Sequence, residues 1–290
     1  MIALERKVVY SLDNHSVFPE TYYLENAIDI KYNKNYPVVM ANKLARARKD
    51  KLTSLESKLL RLAIANICEL DSKLNTYNVS IAELAELLGI SSSNIYAEVK
   101  GLANSLMSKE IYISLGFDKN GNENFELFHW IDYCKYKDGI ITIRLSEFLK
   151  PYLLGLDKLF TRYGYDTVLA LPSDTAIKLY ELLISFEGLR INNIKTYYYP
   201  EIETEPGEFV FPIDNLRTFL NCEDKYPNNR DFIKWVVDSN LYIIMKNTLA
   251  RITYRLIKKG RAIKYIVFKF IPLFEDKELE ERIRKLKGGK

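Results

Sequence analysis

The sequence predicts an α+β fold of two tandem domains that repeat one structural pattern. Apolar residues recur at helical spacing in some stretches and alternate with polar residues, as in strands, in others. Two helices joined by a short turn and followed by a β-hairpin occur twice along the chain. A length of 290 residues accommodates two domains of ordinary size.

Composition and patterning divide the chain into four segments. We predict an N-terminal arm (1–36), a first domain (37–157), a second domain (158–273) and a charged tail (274–290). A hydrophobic content of 48% is sufficient for folded cores. The sequence has neither a membrane-length apolar run nor a signal-peptide pattern, and its three cysteines are widely separated, so we expect a reduced protein of the cytoplasm.

The first domain begins with three predicted helices. Thr53-Ser54-Leu55-Glu56 and Ser80-Ile81-Ala82-Glu83 are capping boxes, which satisfy free N–H groups at a helix start. Gly89 ends the second helix, and after a short turn the third runs from about Ser92 to Ser108. This arrangement is typical of a helix-turn-helix.

Three β-like runs follow these helices. Residues 111–115 and 125–130 flank Asp118-Lys119-Asn120-Gly121, a sequence that favours a hairpin turn. A third run, residues 139–145, alternates apolar and polar residues. A helix-turn-helix followed by a hairpin predicts a winged helix, with the 111–130 hairpin as its wing.

The second domain repeats this order. Ser173 is placed to cap a helix, and a short helix is predicted over Ile213–Leu220. A long helix from about Asn229 to Lys246 then precedes strands at residues 248–257 and 262–271. The sequence therefore predicts two tandem winged helices related by an internal pseudo-repeat.

Charge is segregated within the second domain. Residues 225–270 contain eleven basic and two acidic residues, whereas residues 190–224 contain three basic and seven acidic ones. A helix followed by a basic hairpin can place one element in a DNA groove and contact phosphates beside it. The alternative is a solvated basic face. The acidic residues of the 189–207 loop are expected to be solvated.

Candidate DNA-binding residues lie on both predicted winged helices. In the second domain they surround the long helix and occupy the hairpin: Lys225, Asn228, Arg230, Lys234, Lys258, Lys259 and Arg261. In the first they lie on the polar side of the third helix and in a basic cluster: Ser92, Ser93, Asn94, Tyr96, Lys100, Arg46 and Arg48. Arg230 and Lys234 share a helix face and could contact guanine, or phosphate alone.

Enzymatic functions lack the residues they require. The two histidines, His15 and His129, are far apart, so the paired-histidine metal site of a rolling-circle nickase is missing. The sequence contains no GxxxxGK[ST] phosphate-binding loop and no His, Cys or carboxylate cluster with metal-ligand spacing. We therefore expect no catalytic activity, no cofactor and no bound metal.

A series of short motifs resembles the Rep_3 type of plasmid replication initiator, the iteron-binding Rep proteins with two winged-helix domains. The motifs are Ala41-Asn42-Lys43-Leu44, Leu55-Glu56-Ser57-Lys58-Leu59-Leu60, Leu149-Lys150-Pro151-Tyr152-Leu153-Leu154, Phe160-Thr161-Arg162-Tyr163, Lys178-Leu179-Tyr180-Glu181-Leu182-Leu183, Tyr226 with Arg230-Asp231-Phe232-Ile233-Lys234, and Lys258-Lys259-Gly260-Arg261 before Ile266-Val267-Phe268. The chain departs from the family pattern at Ile243-Ile244-Met245 and at Trp235, where the family often has Glu-Ile-Asn and a basic residue.

The resemblance implies an origin-binding function. The second domain would read a double-stranded direct repeat in a major groove, and the first would bind DNA or serve dimerisation. Monomers would bind origin repeats, help to open the origin and recruit the bacterial host's initiator and replicative helicase, while dimers would repress the protein's own promoter. A transcriptional regulator without a replication role and a protein-interaction scaffold remain the alternatives.

Overall fold

The computed structural model describes residues 27–191, 199 and 201–271. Most of the predicted N-terminal arm and the whole charged tail lie outside the described residues. Within the described part of the chain, no helix has the length and apolar character needed to cross a membrane.

The first part of the chain contains five α-helices, one 3-10 helix and eight strands in the described residues. In chain order they are β1 (Ala27–Asp29), β2 (Pro37–Ala41), α1 (Asn42–Ala45), β3 (Arg48–Lys49), α2 (Ser54–Ala65), β4 (Thr76–Ser80), α3 (Ile81–Leu88), α4 (Ser92–Ser108), β5 (Glu110–Phe117), β6 (Glu123–His129), β7 (Ile131–Lys137), β8 (Ile140–Leu145), a 3-10 helix (Glu147–Leu149) and α5 (Lys150–Leu153).

The second part continues with a mixture of helices and strands. They are β9 (Phe160–Gly164), α6 (Tyr165–Ala170), α7 (Asp174–Ile184), α8 (Glu187–Ile191), β10 (Glu208–Pro212), α9 (Ile213–Phe219), α10 (Asn229–Phe232), a π-helical stretch (Ile233–Asp238), α11 (Ser239–Asn247), β11 (Ile252–Lys259) and β12 (Ala262–Phe270). The last three helical segments run on without a break, and we call them together the long helix.

Local capping chemistry explains where several helices begin and end. The Thr53 hydroxyl accepts from the Glu56 amide at 3.2 Å, while the Glu56 carboxylate accepts from the Thr53 amide at 2.7 Å. The Ser173 hydroxyl caps α7 by accepting from the Ala176 amide at 3.2 Å. Gly89 ends α3 with a φ of 65°, a left-handed conformation that glycine adopts at little cost.

The first winged helix uses a different hairpin from the one the sequence predicts. β4 precedes the helix-turn-helix of α3 and α4, and its sheet has the order β1-β4-β8-β7. The hairpin that completes this sheet is β7–β8, so the assignment of the wing to residues 111–130 is wrong. Those residues form β5 and β6, which lie in a separate sheet where β5 pairs with both β3 and β6. The difference arises because β4 pairs with β8 across more than sixty residues, as in Thr76 opposite Arg144.

The second winged helix has the same topology as the first. β10 precedes α9 and the long helix, and the hairpin β11–β12 completes a sheet of order β10-β12-β11. This order corresponds to β4-β8-β7 of the first winged helix. The predicted α+β class and the tandem pseudo-repeat are therefore confirmed.

Two strands for which no prediction was made link the predicted segments to one another. β1 lies in the predicted arm and runs parallel to β4. β9 lies near the start of the predicted second domain and pairs antiparallel with β2, which brings residues 160–164 against residues 37–41. Buried apolar side chains from both winged helices, including Trp130 and Phe268, belong to one continuous core cluster. The two winged helices are thus packed against each other rather than merely linked.

Candidate nucleic-acid interface

The long helix presents a polar and aromatic stripe to solvent. Its inner face is buried and consists of Phe232, Ile233, Val236, Val237, Leu241 and Ile244. Its outer face is exposed and consists of Arg230, Lys234, Trp235, Asp238, Ser239, Tyr242 and Lys246. Two predicted candidates, Arg230 and Lys234, therefore lie on the solvent-facing side of the helix that the winged-helix fold places nearest to DNA.

Two exposed aromatic residues in this stripe add to the candidate DNA-binding residues predicted from the sequence. Trp235 is 56% exposed, and the ammonium of Lys234 lies 4.7 Å from the centre of its ring. Tyr242 is 64% exposed and lies two helical turns further along. Sequence reasoning singled out Trp235 only as a departure from the family and did not identify Tyr242. The seven-residue spacing of Trp235 and Tyr242, two helical turns, is the signal that could have placed these two side chains on the same face.

The start of the long helix is held by Arg217, a residue that no sequence pattern singled out. Its buried guanidinium lies 4.7 Å from the centre of the Phe232 ring. It donates hydrogen bonds to the carbonyl oxygens of Lys225 and Tyr226, each at 2.6 Å, and of Asn228 at 3.0 Å. These bonds fix the turn that leads into the helix and so the direction in which Arg230 points.

Asn228 caps the long helix, and Lys225 is exposed in the preceding turn. The Asn228 side chain accepts from the Asp231 amide at 2.8 Å and donates to the Asp231 carboxylate at 2.7 Å. The predicted residue Asn228 therefore has a structural partner, which orders the first turn of the helix.

The wing of the second domain carries its cations at the tip. Lys258, Lys259 and Arg261 are all exposed around the turn between β11 and β12. Lys259 differs from its neighbours because its ammonium lies 3.4 Å from the Glu201 carboxylate. Hydrogen bonding to Tyr265 and to Glu201 raises the pKa of Lys259.

Acidic residues at the start of β10 and just before it pair with the basic hairpin. Arg255 forms an ion pair with Glu208 at 2.9 Å, and Lys269 forms one with Glu205. Together with the pair between Lys259 and Glu201, these contacts show that the acidic segment is not simply a solvated loop. The segregated charges of the sequence are therefore partly neutralised against each other in the fold.

The first winged helix exposes a polar surface with fewer cations. On α4, Ser93, Asn94, Tyr96 and Lys100 are exposed and Ser92 is half-buried. A Cβ atom on Gly139, at the tip of the β7–β8 hairpin, would lie 3.2 Å from the Tyr96 hydroxyl. The helix and the hairpin tip of this domain thus form one continuous surface.

The basic cluster before α2 is divided between surface and interior. Arg48 is exposed and lies 4.0 Å from Glu223. The Arg46 guanidinium lies 3.6 Å from the centre of the Phe186 ring and donates to the Ser185 hydroxyl at 2.8 Å. A guanidinium that stacks on an aromatic ring is partly withdrawn from solvent. The predicted DNA-binding residue Arg46 therefore makes its contacts within the fold.

The remaining chemistry-bearing residues are dispersed in the structure. His129 is exposed at the end of β6, and His15 lies outside the described residues. Among the described residues, no three His, Cys, Asp or Glu side chains are grouped so that they could hold a metal ion.

The fold and these surfaces define a DNA-binding protein with two tandem winged helices. The chain belongs to the Rep_3-type family of replication initiators: the model of "Initiator Replication protein, WH1" matches residues 37–184, and that of "Initiator Rep protein, WH2" matches residues 212–270. A curated replication initiation protein of Escherichia coli is 27% identical over 240 residues, which cover 80% of this chain and 68% of the relative.

A solved structure supports the same fold. The crystal structure of the Pi initiator protein in complex with iteron DNA aligns with a TM-score of 0.56 and 22% sequence identity. The alignment covers 82% of this chain and 98% of that protein. This chain therefore shares the tandem winged-helix architecture with that initiator.

Proposed function

We propose that this protein initiates plasmid replication by binding double-stranded iteron repeats at an origin through both winged helices. The observation that carries the proposal is the exposed stripe of the long helix beside a hairpin with a cationic tip, within a family of replication initiators. A likeness to an initiator solved with iteron DNA supports the choice of ligand.

The long helix would enter a major groove with its first turns toward the base edges. Arg230 and Lys234 are the residues that could donate to guanine O6 and N7, and Trp235 would pack against a thymine methyl group or a sugar. Lys258 and Arg261 would contact phosphates from the adjoining hairpin. Arg217 would not touch DNA but would hold the helix start in the orientation that these contacts need.

The first winged helix would make a weaker contact. Lys100 is a cation on the exposed side of α4, which otherwise offers hydroxyl and amide groups. Since electrostatic attraction to phosphate supplies most of the sequence-independent affinity, the second winged helix would contribute the larger share of binding free energy.

The β5–β6 hairpin supports dimerisation of the same protein. β6 is at the edge of its sheet, and Phe117, Phe125 and Leu127 are between 52% and 71% exposed. An edge strand with exposed apolar side chains can pair with the same strand of a second copy. We propose that a homodimer formed here, in equilibrium with the monomer, represses the protein's own promoter. Sedimentation of Phe125→Glu tests this idea, since an unchanged dimer fraction would exclude the hairpin as the interface.

Origin opening and recruitment of the host initiator and helicase form part of the proposal on the basis of family membership. The protein would act in the bacterial cytoplasm as a binding protein without catalytic activity. Site-specific nicking of supercoiled origin DNA in the presence of Mg²⁺ would contradict that part of the proposal.

The test of DNA reading is a pair of titrations at one salt concentration, with a cognate repeat from the flanking DNA and a scrambled duplex. Arg230→Ala should cost about 1–3 kcal/mol on the cognate repeat and little on the scrambled one, because a base contact is lost. Lys100→Ala is the matched control and should cost less on the cognate repeat. Equal losses on both duplexes would make Arg230 a backbone contact, and a larger cognate loss for Lys100→Ala would assign the reading to the first domain.

A further inference from the structure

Asn221 joins the turn of the second helix-turn-helix to the first domain. It follows α9 and has a φ of 54°, in the left-handed region that asparagine tolerates better than most residues. Its side-chain oxygen accepts a hydrogen bond from the Lys178 ammonium at 2.5 Å, and its side-chain nitrogen donates to the Lys49 carbonyl at 3.1 Å. Asn221 lies in the segment that matches the second winged helix, whereas Lys49 and Lys178 lie in the segment that matches the first.

The groups that Asn221 contacts belong to a buried charge cluster, which we define as Lys49, Arg61, Asp174, Lys178 and Glu181. Each of the five is at most 4% exposed. Glu181 accepts two hydrogen bonds of 2.9 Å from Arg61 and lies 3.6 Å from the Lys49 ammonium. Buried ion pairs of this kind hold their members in one geometry, since any displacement leaves a charge without a partner. A side chain bound to the cluster therefore has a fixed position.

Further contacts around Asn221 and before the second winged helix support this junction. Lys178 also donates to the Lys49 carbonyl at 2.8 Å, so the ammonium bridges that carbonyl and Asn221. The Phe186 ring contacts the Arg46 guanidinium. It also stacks on the Phe209 ring of β10, with ring centres 4.3 Å apart. The turn that begins at Asn221 leads directly into the long helix, so its attachment determines where that helix starts.

We infer that Asn221 is a positioning residue that fixes the long helix relative to the first winged helix and so sets the spacing of the two DNA segments the protein accepts. This inference rests on the proposed function. With the contact in place, α4 and the long helix reach DNA as one rigid unit. Without it, the two winged helices bind more independently and tolerate a change in the distance between their sites.

The experiment compares two duplexes at one salt concentration. One is the native repeat defined by the wild-type footprint, and the other has one base pair inserted between the two protected segments. The insertion rotates one segment by about 36° relative to the other. The quantity measured is the ratio of the two dissociation constants, inserted over native, which does not respond to a uniform loss of affinity.

The variant Asn221→Gly removes the side chain while keeping the left-handed backbone accessible. Its ratio should fall roughly 3- to 10-fold below that of the wild type, as expected when a hydrogen bond to a charged group no longer holds the geometry. Lys178→Met removes the same bond from the opposite side and should lower the ratio similarly, with no further fall in the double variant. Leu159→Gly is the matched control, because it removes an exposed side chain at another position of positive φ that belongs to neither proposed DNA-binding surface.

Each result has a definite reading. If the wild type binds no repeat, the proposed function fails. If the wild type binds both duplexes equally, or if Asn221→Gly and Lys178→Met both keep the wild-type ratio, DNA binding stands and the positioning role of Asn221 is overturned. A thermal unfolding midpoint close to that of the wild type shows that a variant is folded.

Discussion

Replacing Glu181 by glutamine should destabilise the protein strongly because Glu181 is central to the buried charge cluster. Burial opposes ionisation of this carboxyl group, but the charges of Arg61 and Lys49 outweigh that effect and lower its pKa to about 2. Tyr163 donates a further hydrogen bond to the same carboxylate. The substitution keeps the side-chain volume but leaves three buried cations facing Asp174 alone.

The magnitude follows from the loss of one partner of a buried ion pair, about 3–5 kcal/mol. Native proteins are stable by about 5–15 kcal/mol, so this loss is a large share of the total. The unfolding midpoint should fall by about 6–20 °C for a chain of this size. Urea unfolding at pH 7, followed by circular dichroism, gives the free energy directly.

Two further variants sharpen this measurement. Glu86→Gln removes an exposed carboxylate of α3 and should change stability by less than about 0.5 kcal/mol. Adding Lys49→Met to Glu181→Gln removes one of the unpaired cations and should recover at least about 1 kcal/mol. A loss below about 1 kcal/mol for Glu181→Gln alone would refute the reasoning, since packing and not charge pairing would then hold the cluster together.

The remaining predictions concern DNA affinity and pH. Glu201→Gln should free Lys259 to contact phosphate, which would tighten binding to all duplexes and steepen the plot of log binding constant against log salt concentration by up to about 0.9. Glu69→Gln removes the acid of another exposed ion pair and should leave that slope unchanged. An unchanged slope for Glu201→Gln would show that its ion pair does not compete with DNA. Burial lowers the pKa of Lys49 and of Lys178 to about 8. Between pH 8 and 10 the unfolded chain therefore binds more protons than the folded chain, so the unfolding free energy should rise with pH. A flat urea-unfolding profile over that range would contradict this.

The sequence by itself determined the elements that depend on neighbouring residues. Thr53 and Ser173 cap their helices because the groups they bind are three residues away. The long helix and the two strands after it were predicted from apolar periodicity. The helix and the last strand have ends within one residue of those observed, whereas the first predicted strand begins four residues before β11. The exposed positions of Arg230 and Lys234 follow from the same helical spacing.

Only the tertiary structure decided which elements meet. β4 selects β8 as its partner, which makes β7–β8 the wing of the first domain, and no local pattern carries that information. Lys49 and Lys178 resemble surface charges in the sequence, yet both are buried because Glu181 and Asp174 lie beside them in the fold. The physical reason is that the backbone sets side-chain periodicity within a few residues. Strand pairing and charge burial instead depend on groups that are distant in sequence, more than a hundred residues apart for Arg61 with Glu181 and for Lys49 with Lys178.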